Sequence, residues 1–157
     1  MEKFTNNRTE YWNAIKSELL NFSKSQESEN LRFSYLEIGE LLTHGFSIQQ
    51  SDEHIRDLRL RVWNAEFDNN RFDKGIYNLN RLAVAQKTIH LSLNDAEKIN
   101  EALSQNLELT NWNGIVLDGL FCQLEFDSKK LEWNVNEEIN DETIKLVEFL
   151  RKKAHDK

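Results

Sequence analysis

The chain has no proline, one cysteine and five glycines among its 157 residues. Average usage of about 5% would give roughly eight prolines, so other residues must set the turns, and no proline-set kink is available. The lone Cys122 excludes an internal disulfide. With so few glycines there is no glycine-rich phosphate cradle, and GxGxxG, P-loop and GxSxG motifs are all missing. The four histidines, His44, His54, His90 and His155, fall at no H-x-H, H-x3-H or HExxH spacing. With a single cysteine they make no recognisable zinc or iron site. No catalytic residue, metal or cofactor is therefore expected. The N-terminal MEKFTNNRTEYW has no apolar h-region, and no apolar run approaches the roughly 20 residues of a membrane span. A cytoplasmic protein that does not enter membranes is the expectation.

What remains is globular in composition, with 39% apolar and 30% charged residues. The length fits one domain over residues 1–157, enough to bury about 68–70% of its unfolded surface. The formal charge is −7. Nucleic-acid binding and docking on anionic membrane both draw on Lys and Arg, so the acidity argues against them. It favours a basic protein as partner.

Hydrophobic spacing predicts an α+β fold: an antiparallel sheet of about five to six strands, packed on one face by N-terminal, central and C-terminal helices. Tyr11, Trp12, Ile15, Leu19 and Phe22 recur at helical spacing over residues 6–22, with Lys16 and Glu18 turned outward. The polar stretch 23–30 reads as a loop. Leu31, Phe33 and Tyr35 alternate as in a strand, and residues 36–55 stay ambiguous, with Gly39 and Gly45 as turn points. Over 56–66, Leu58, Leu60 and Val62 alternate with Arg59, Arg61 and Trp63, which predicts a half-buried antiparallel strand. Residues 67–75 read as an Asp/Asn-rich loop and 76–91 as strand, with a helical turn also open in its first half. Asn94 is the expected N-cap of a helix carrying Ala96, Ile99, Ala102 and Leu103, with Glu97 in capping-box position.

The C-terminal block is the clearest. Leu120, Cys122, Leu124 and Phe126 alternate with Phe121, Gln123 and Glu125. A four-residue turn over 127–130 follows, then Leu131, Trp133 and Val135 alternate with Glu132 and Asn134. This predicts a hairpin with one apolar face, on which Cys122 is a small core residue rather than a nucleophile. Asn140 caps a last helix with acids in its first turn, bases in its last, and Ile144, Val147 and Leu150 as core stripe. Asp118-Gly119 reads either as a type I′ turn or as a bulge in one long strand.

Between Asp118 and Glu148 stand nine acids against three lysines, −6 of the total −7. A solvated face plus helix capping accounts for this. The sharper reading is an acidic surface for a basic partner, formed by Glu125 and Glu132 with Asp118 nearby. Phe121 would be its apolar anchor, and Trp63 would add buried area. A helix laid over that face would remove Phe121 from the set.

The order of elements, with Trp112-Asn113-Gly114 and Asp118-Gly119 leading into the hairpin and the Asn140 helix, resembles small bacterial α+β domains of the immunity-protein type. The resemblance spans about a quarter of the chain. It implies a non-enzymatic cytosolic inhibitor of a toxin and transfers no site residue. Two other classes stay open. One is a small enzyme or ligand binder with a cleft between helices and sheet, using His54 or a carboxylate as base. The other is a structural homodimer subunit.

Overall fold

The computed structural model describes residues 2–21, 30–75, 81–115 and 119–155, the side chains of residues 2–7 aside. Six strands form one antiparallel sheet: β1 (Leu31–Gly39), β2 (Gly45–Ser51), β3 (Asp57–Trp63), β4 (Val84–His90), β5 (Leu120–Phe126) and β6 (Lys129–Trp133). Their spatial order is β4-β3-β2-β1-β5-β6. The helices are α1 (Glu2–Leu20), α2 (Ala65–Asp73), α3 (Leu93–Leu103) and α4 (Asp141–His155). This is the expected α+β class with an all-antiparallel sheet. No helix among the described residues is long and apolar enough to cross a membrane.

The helices lie on both faces of the sheet, not on one. Phe33, Tyr35, Phe46, Ile48, Leu58, Leu60, Cys122, Leu124, Leu131 and Trp133 pack with α3 (Ala96, Ile99) and α4 (Leu146, Val147, Leu150). Leu36, Ile38 and Trp63 point the other way and pack with Tyr11, Ile15 and Leu19 of α1 and Ala65 of α2. The cause is in β1. It pairs with β2 on one side and β5 on the other, and it buries apolar residues on both pleats, Phe33 and Tyr35 on one and Leu36 and Ile38 on the other. Each set needs a cover, so a second helical layer must form. The same double burial hides the strand period over 36–39, which explains the ambiguity there.

Strand β3 is likewise buried on both faces rather than half-buried. Arg59 and Arg61 are each only 8% exposed. Arg61 donates to the Glu18 backbone oxygen (3.0 Å) and pairs with the Glu18 carboxylate (2.6 Å), which satisfies a carbonyl at the end of α1.

The expected loop at 67–75 is helix α2. Asn64 caps it by accepting from Phe67 N (3.1 Å), and Glu66 and Asp68 sit in its first turn. Asp68 is buried as the acceptor for Trp63 Nε1 (2.8 Å) and Ala83 N (2.7 Å), so the run of polar residues is organised by tertiary contacts. The cap of α3 is Ser92, which accepts from Asp95 N (3.1 Å), two residues before the expected Asn94. For α4, Asn140 is the cap as read, accepting from Thr143 N (3.0 Å). Residues 110–115 carry no regular structure, so the strand expected to lead into Asp118 is not formed there. Asp118, Phe22, residues 76–80 and most of the 23–30 loop lie outside the described residues.

The β5–β6 turn is tighter than the four residues expected. Asp127 (φ 46°) and Ser128 (φ 62°) form a two-residue connection with both central residues left-handed, the signature of a type I′ turn. Glycine suits the second position and serine does not. Ser128→Gly is expected to raise stability by about 0.5–1 kcal/mol, read as a higher urea midpoint at unchanged slope.

Candidate functional site

The outer pleat of the β5–β6 hairpin holds Phe121, Glu125 and Glu132 of the expected residues, whereas Trp63 stands on β3 and Asp118 lies outside the described residues. Strand alternation puts Phe121, Gln123 and Glu125 on the face opposite Cys122 and Leu124. The pairing Gln123↔Glu132 and Glu125↔Lys130 adds Glu132 and Lys130 to it. Glu125 and Glu132 are 39% and 48% exposed, and the Lys130 ammonium stands between them at 3.7 and 3.9 Å. Those separations exceed the 2.7–2.9 Å of a charge-assisted hydrogen bond, so the lysine screens the carboxylates without locking them. Gln123 lies beneath, buried, and its Nε2 donates to Glu125 Oε1 (3.0 Å).

Two of the expected anchors are not available on this surface. Phe121 is half-buried under α1, edge-on to Trp12 (5.2 Å between centroids), with the Lys16 ammonium 4.9 Å above its ring. Trp63 is 3% exposed, edge-on to Tyr11 (6.0 Å) and hydrogen-bonded to Asp68. Both belong to the core beneath α1. Alternation gives the pleat a residue lies on, but it does not reveal whether another layer covers that pleat.

A second cluster, which the sequence reading missed, joins residues far apart in the chain. Glu37 stands on the same pleat of β1 as Phe33 and Tyr35, where an apolar residue is the rule, and it is 2% exposed. Its Oε1 accepts from Arg151 Nε (2.9 Å) and Nη2 (2.7 Å) on α4 and from the Tyr35 hydroxyl (2.7 Å). Its Oε2 meets His44 Nε2 (3.0 Å) in the β1–β2 turn. Burial alone pushes the Glu37 carboxyl upward. The hydrogen bonds from His44, Tyr35 and Arg151 and the Arg151 charge outweigh it and hold the carboxyl below the usual carboxylate range. Cys122, the register partner of Glu37 on β5, has its thiol 3.6 Å from the Tyr35 hydroxyl, and burial pushes it up to about 12. It is a core thiol, far from the exposed electropositive setting a nucleophile needs. The only sequence signal for this cluster was a glutamate on the apolar side of a strand.

Thr43 Oγ1 lies 3.1 Å from His44 Nδ1, so a hydroxyl, an imidazole and a carboxylate stand in a row. Gly39 makes room for this turn, since a Cβ there would fall 2.7 Å from Thr43 Oγ1. The row has the composition of a nucleophile relay, but Thr43 and His44 are chain neighbours. The carboxylate is also already held by Arg151 and Tyr35, which makes the cluster a latch between α4 and the sheet.

A cleft of about 410 Å³ opens between α3 and α4, with Lys98, Glu101, Glu142 and Lys145 around Leu146 and Phe149. His54, exposed in the β2–β3 turn, does not line it, and neither do Glu37, Tyr35 or Cys122. Among the described residues no three His, Cys, Asp or Glu side chains are grouped to hold a metal ion. Comparison of the chain with protein-family models, with curated proteins and with solved structures finds no match.

Proposed function

We propose that this chain is a protein-binding module of the immunity-type inhibitor kind, acting in the cytoplasm on a basic partner protein through the outer face of the β5–β6 hairpin. The observation that carries the reading is the exposed pair Glu125 and Glu132, bridged only loosely by Lys130 at 3.7 and 3.9 Å. A guanidinium from a partner can replace that ammonium and gain shorter, charge-assisted bonds. The exposed Asp127 at the hairpin turn adds a third carboxylate to the same end of the sheet. With Phe121 covered by α1, the contact is led by charge, and occlusion of the partner's basic groups is its mechanism. In its narrowest form the partner is a toxin whose active site carries those groups.

The test uses the protein encoded beside this one, purified and titrated against it. Reversal of both carboxylates, Glu125→Lys with Glu132→Lys, is expected to slow association about tenfold in low salt, with little change at high salt. Both side chains are solvent-exposed, so the fold should lose at most about 1 kcal/mol. Equal association rates for the parent and the double variant would remove this face from the reading.

A further inference from the structure

We propose that β4 is a docking edge for an extended, acid-bearing segment of another protein, which adds to the sheet as a seventh strand. This surface lies at the end of the sheet opposite the hairpin and does not depend on the function proposed for it.

Among the described residues strand β4 pairs with another strand on one side only. It pairs with β3 from Asp57↔His90 to Trp63↔Val84 without a register shift and ends the strand order. The Val84 N–H is taken by Leu82 O (3.0 Å), and from Gln86 onward the other side presents a row of outward N–H and C=O groups, a template for a further strand. Ala85, Gln86, Lys87 and Thr88 are all exposed, so no element among the described residues lies over this stretch. The opposite edge is protected differently: β6 has only five residues, three of them the charged Lys129, Lys130 and Glu132. Strand β4 has neither proline nor bulge and a single permanent charge, Lys87.

Charge selects the occupant. From Lys74 to Asn94 the chain runs 21 residues without an acid, although 27 of its 157 residues are Asp or Glu. That run carries Lys74, Arg81 and Lys87. Lys87 has no ion-pair partner among the described residues, and Asp57, farther along β3 on the opposite pleat, is taken up by His90 at 2.6 Å. Beside Lys87 on the same pleat are Ala85 and its register partner Val62, itself 39% exposed. They flank an open concavity that Thr43 and Glu66 also line. An incoming strand thus meets a cation opposite one side chain and an apolar step opposite the next. A second copy fits poorly. Two β4 edges paired in register about a two-fold axis set Lys87 against Lys87, and like charges directly opposite destabilise a sheet.

The probe is a synthetic ten-residue peptide in which every second residue is threonine and the intervening positions, all on one face of the strand, alternate glutamate with valine. Its controls are a lysine–valine counterpart and a glutamate–valine peptide N-methylated at every second amide. Amide exchange of the full chain reads the site. The glutamate–valine peptide is expected to protect amides within 84–90, and Lys87→Glu to weaken that binding at least tenfold while admitting the lysine–valine peptide. The N-methylated peptide, with its charge kept but its hydrogen bonds blocked, is expected to fail. Equal binding by the N-methylated peptide would mean charge attraction alone and would overturn the proposal. So would an absence of β4 protection at millimolar peptide. Sedimentation showing self-association that Lys87→Glu abolishes would give the edge to a second copy, and would overturn it equally.

Discussion

Replacing Arg151 with methionine is expected to cost the fold about 3–5 kcal/mol at neutral pH. The loss is not the worth of the ion pair. It is the penalty of leaving the Glu37 carboxylate buried with two of its donors gone. The double variant Glu37→Leu with Arg151→Met should recover most of that loss, because a buried pair replaced by apolar groups of similar volume is often neutral.

The pH dependence separates this account from simple loss of packing. In the parent, Glu37 is held below the usual carboxylate range, so its contribution is present above the unfolded-state value. That contribution is lost as pH falls through the lower, folded one. In the Arg151→Met variant burial dominates and the carboxyl protonates at higher pH, so the gap between the two proteins should narrow toward acid. Urea midpoints from pH 3 to 8 measure both curves. A variant within about 1 kcal/mol of the parent at pH 7 would refute the latch.

Trp133→Ala is expected to be comparably severe, about 3–5 kcal/mol. The ring is 2% exposed, stacks with Tyr35 at 6.2 Å and pairs across the hairpin with Cys122, so truncation opens a cavity under α4. Its indole Nε1, however, is buried without an acceptor among the described residues. Trp133→Phe removes that unmet donor while keeping most of the apolar volume, and the two effects oppose each other. The phenylalanine variant should therefore fall within about 1.5 kcal/mol of the parent in equilibrium unfolding. A Phe variant as damaged as the Ala variant would show that the indole makes a bond the fold needs.

What could be read from the sequence depended on how many faces an element buries. The hairpin and α4 were legible because Leu120–Trp133 is apolar on one pleat and, Phe121 aside, polar on the other, and because Asn140 is a cap with no rival. The far half of β1 was not, since Leu36 and Ile38 are buried as fully as Tyr35 on the other side. Helix α2 was hidden by its polar composition, with Asn64 capping it and Asp68 turned inward to Trp63. Within the candidate site, Glu132 is exposed and Glu125 half-exposed, whereas Phe121 and Trp63 lie under α1 and α2. The Glu37–Arg151 pair joins residues 114 positions apart, a separation at which no local pattern operates.

The seam between β1 and β5 carries a consequence for the order in which the chain assembles. Strands β1 to β4 each pair with a neighbour in sequence, and so do β5 and β6. Among the strand pairings of the described residues only the seam joins distant segments, setting Phe33 against Phe126 and Gly39 against Leu120. Contacts of such separation are the slow ones to close. The meander and the hairpin can therefore each take shape by local pairing, while Tyr35, Glu37 and Cys122 meet only when the two sheet halves zip together. Until that moment Glu37 is still in water, and the enclosure of a charge becomes the closing act of folding rather than its beginning.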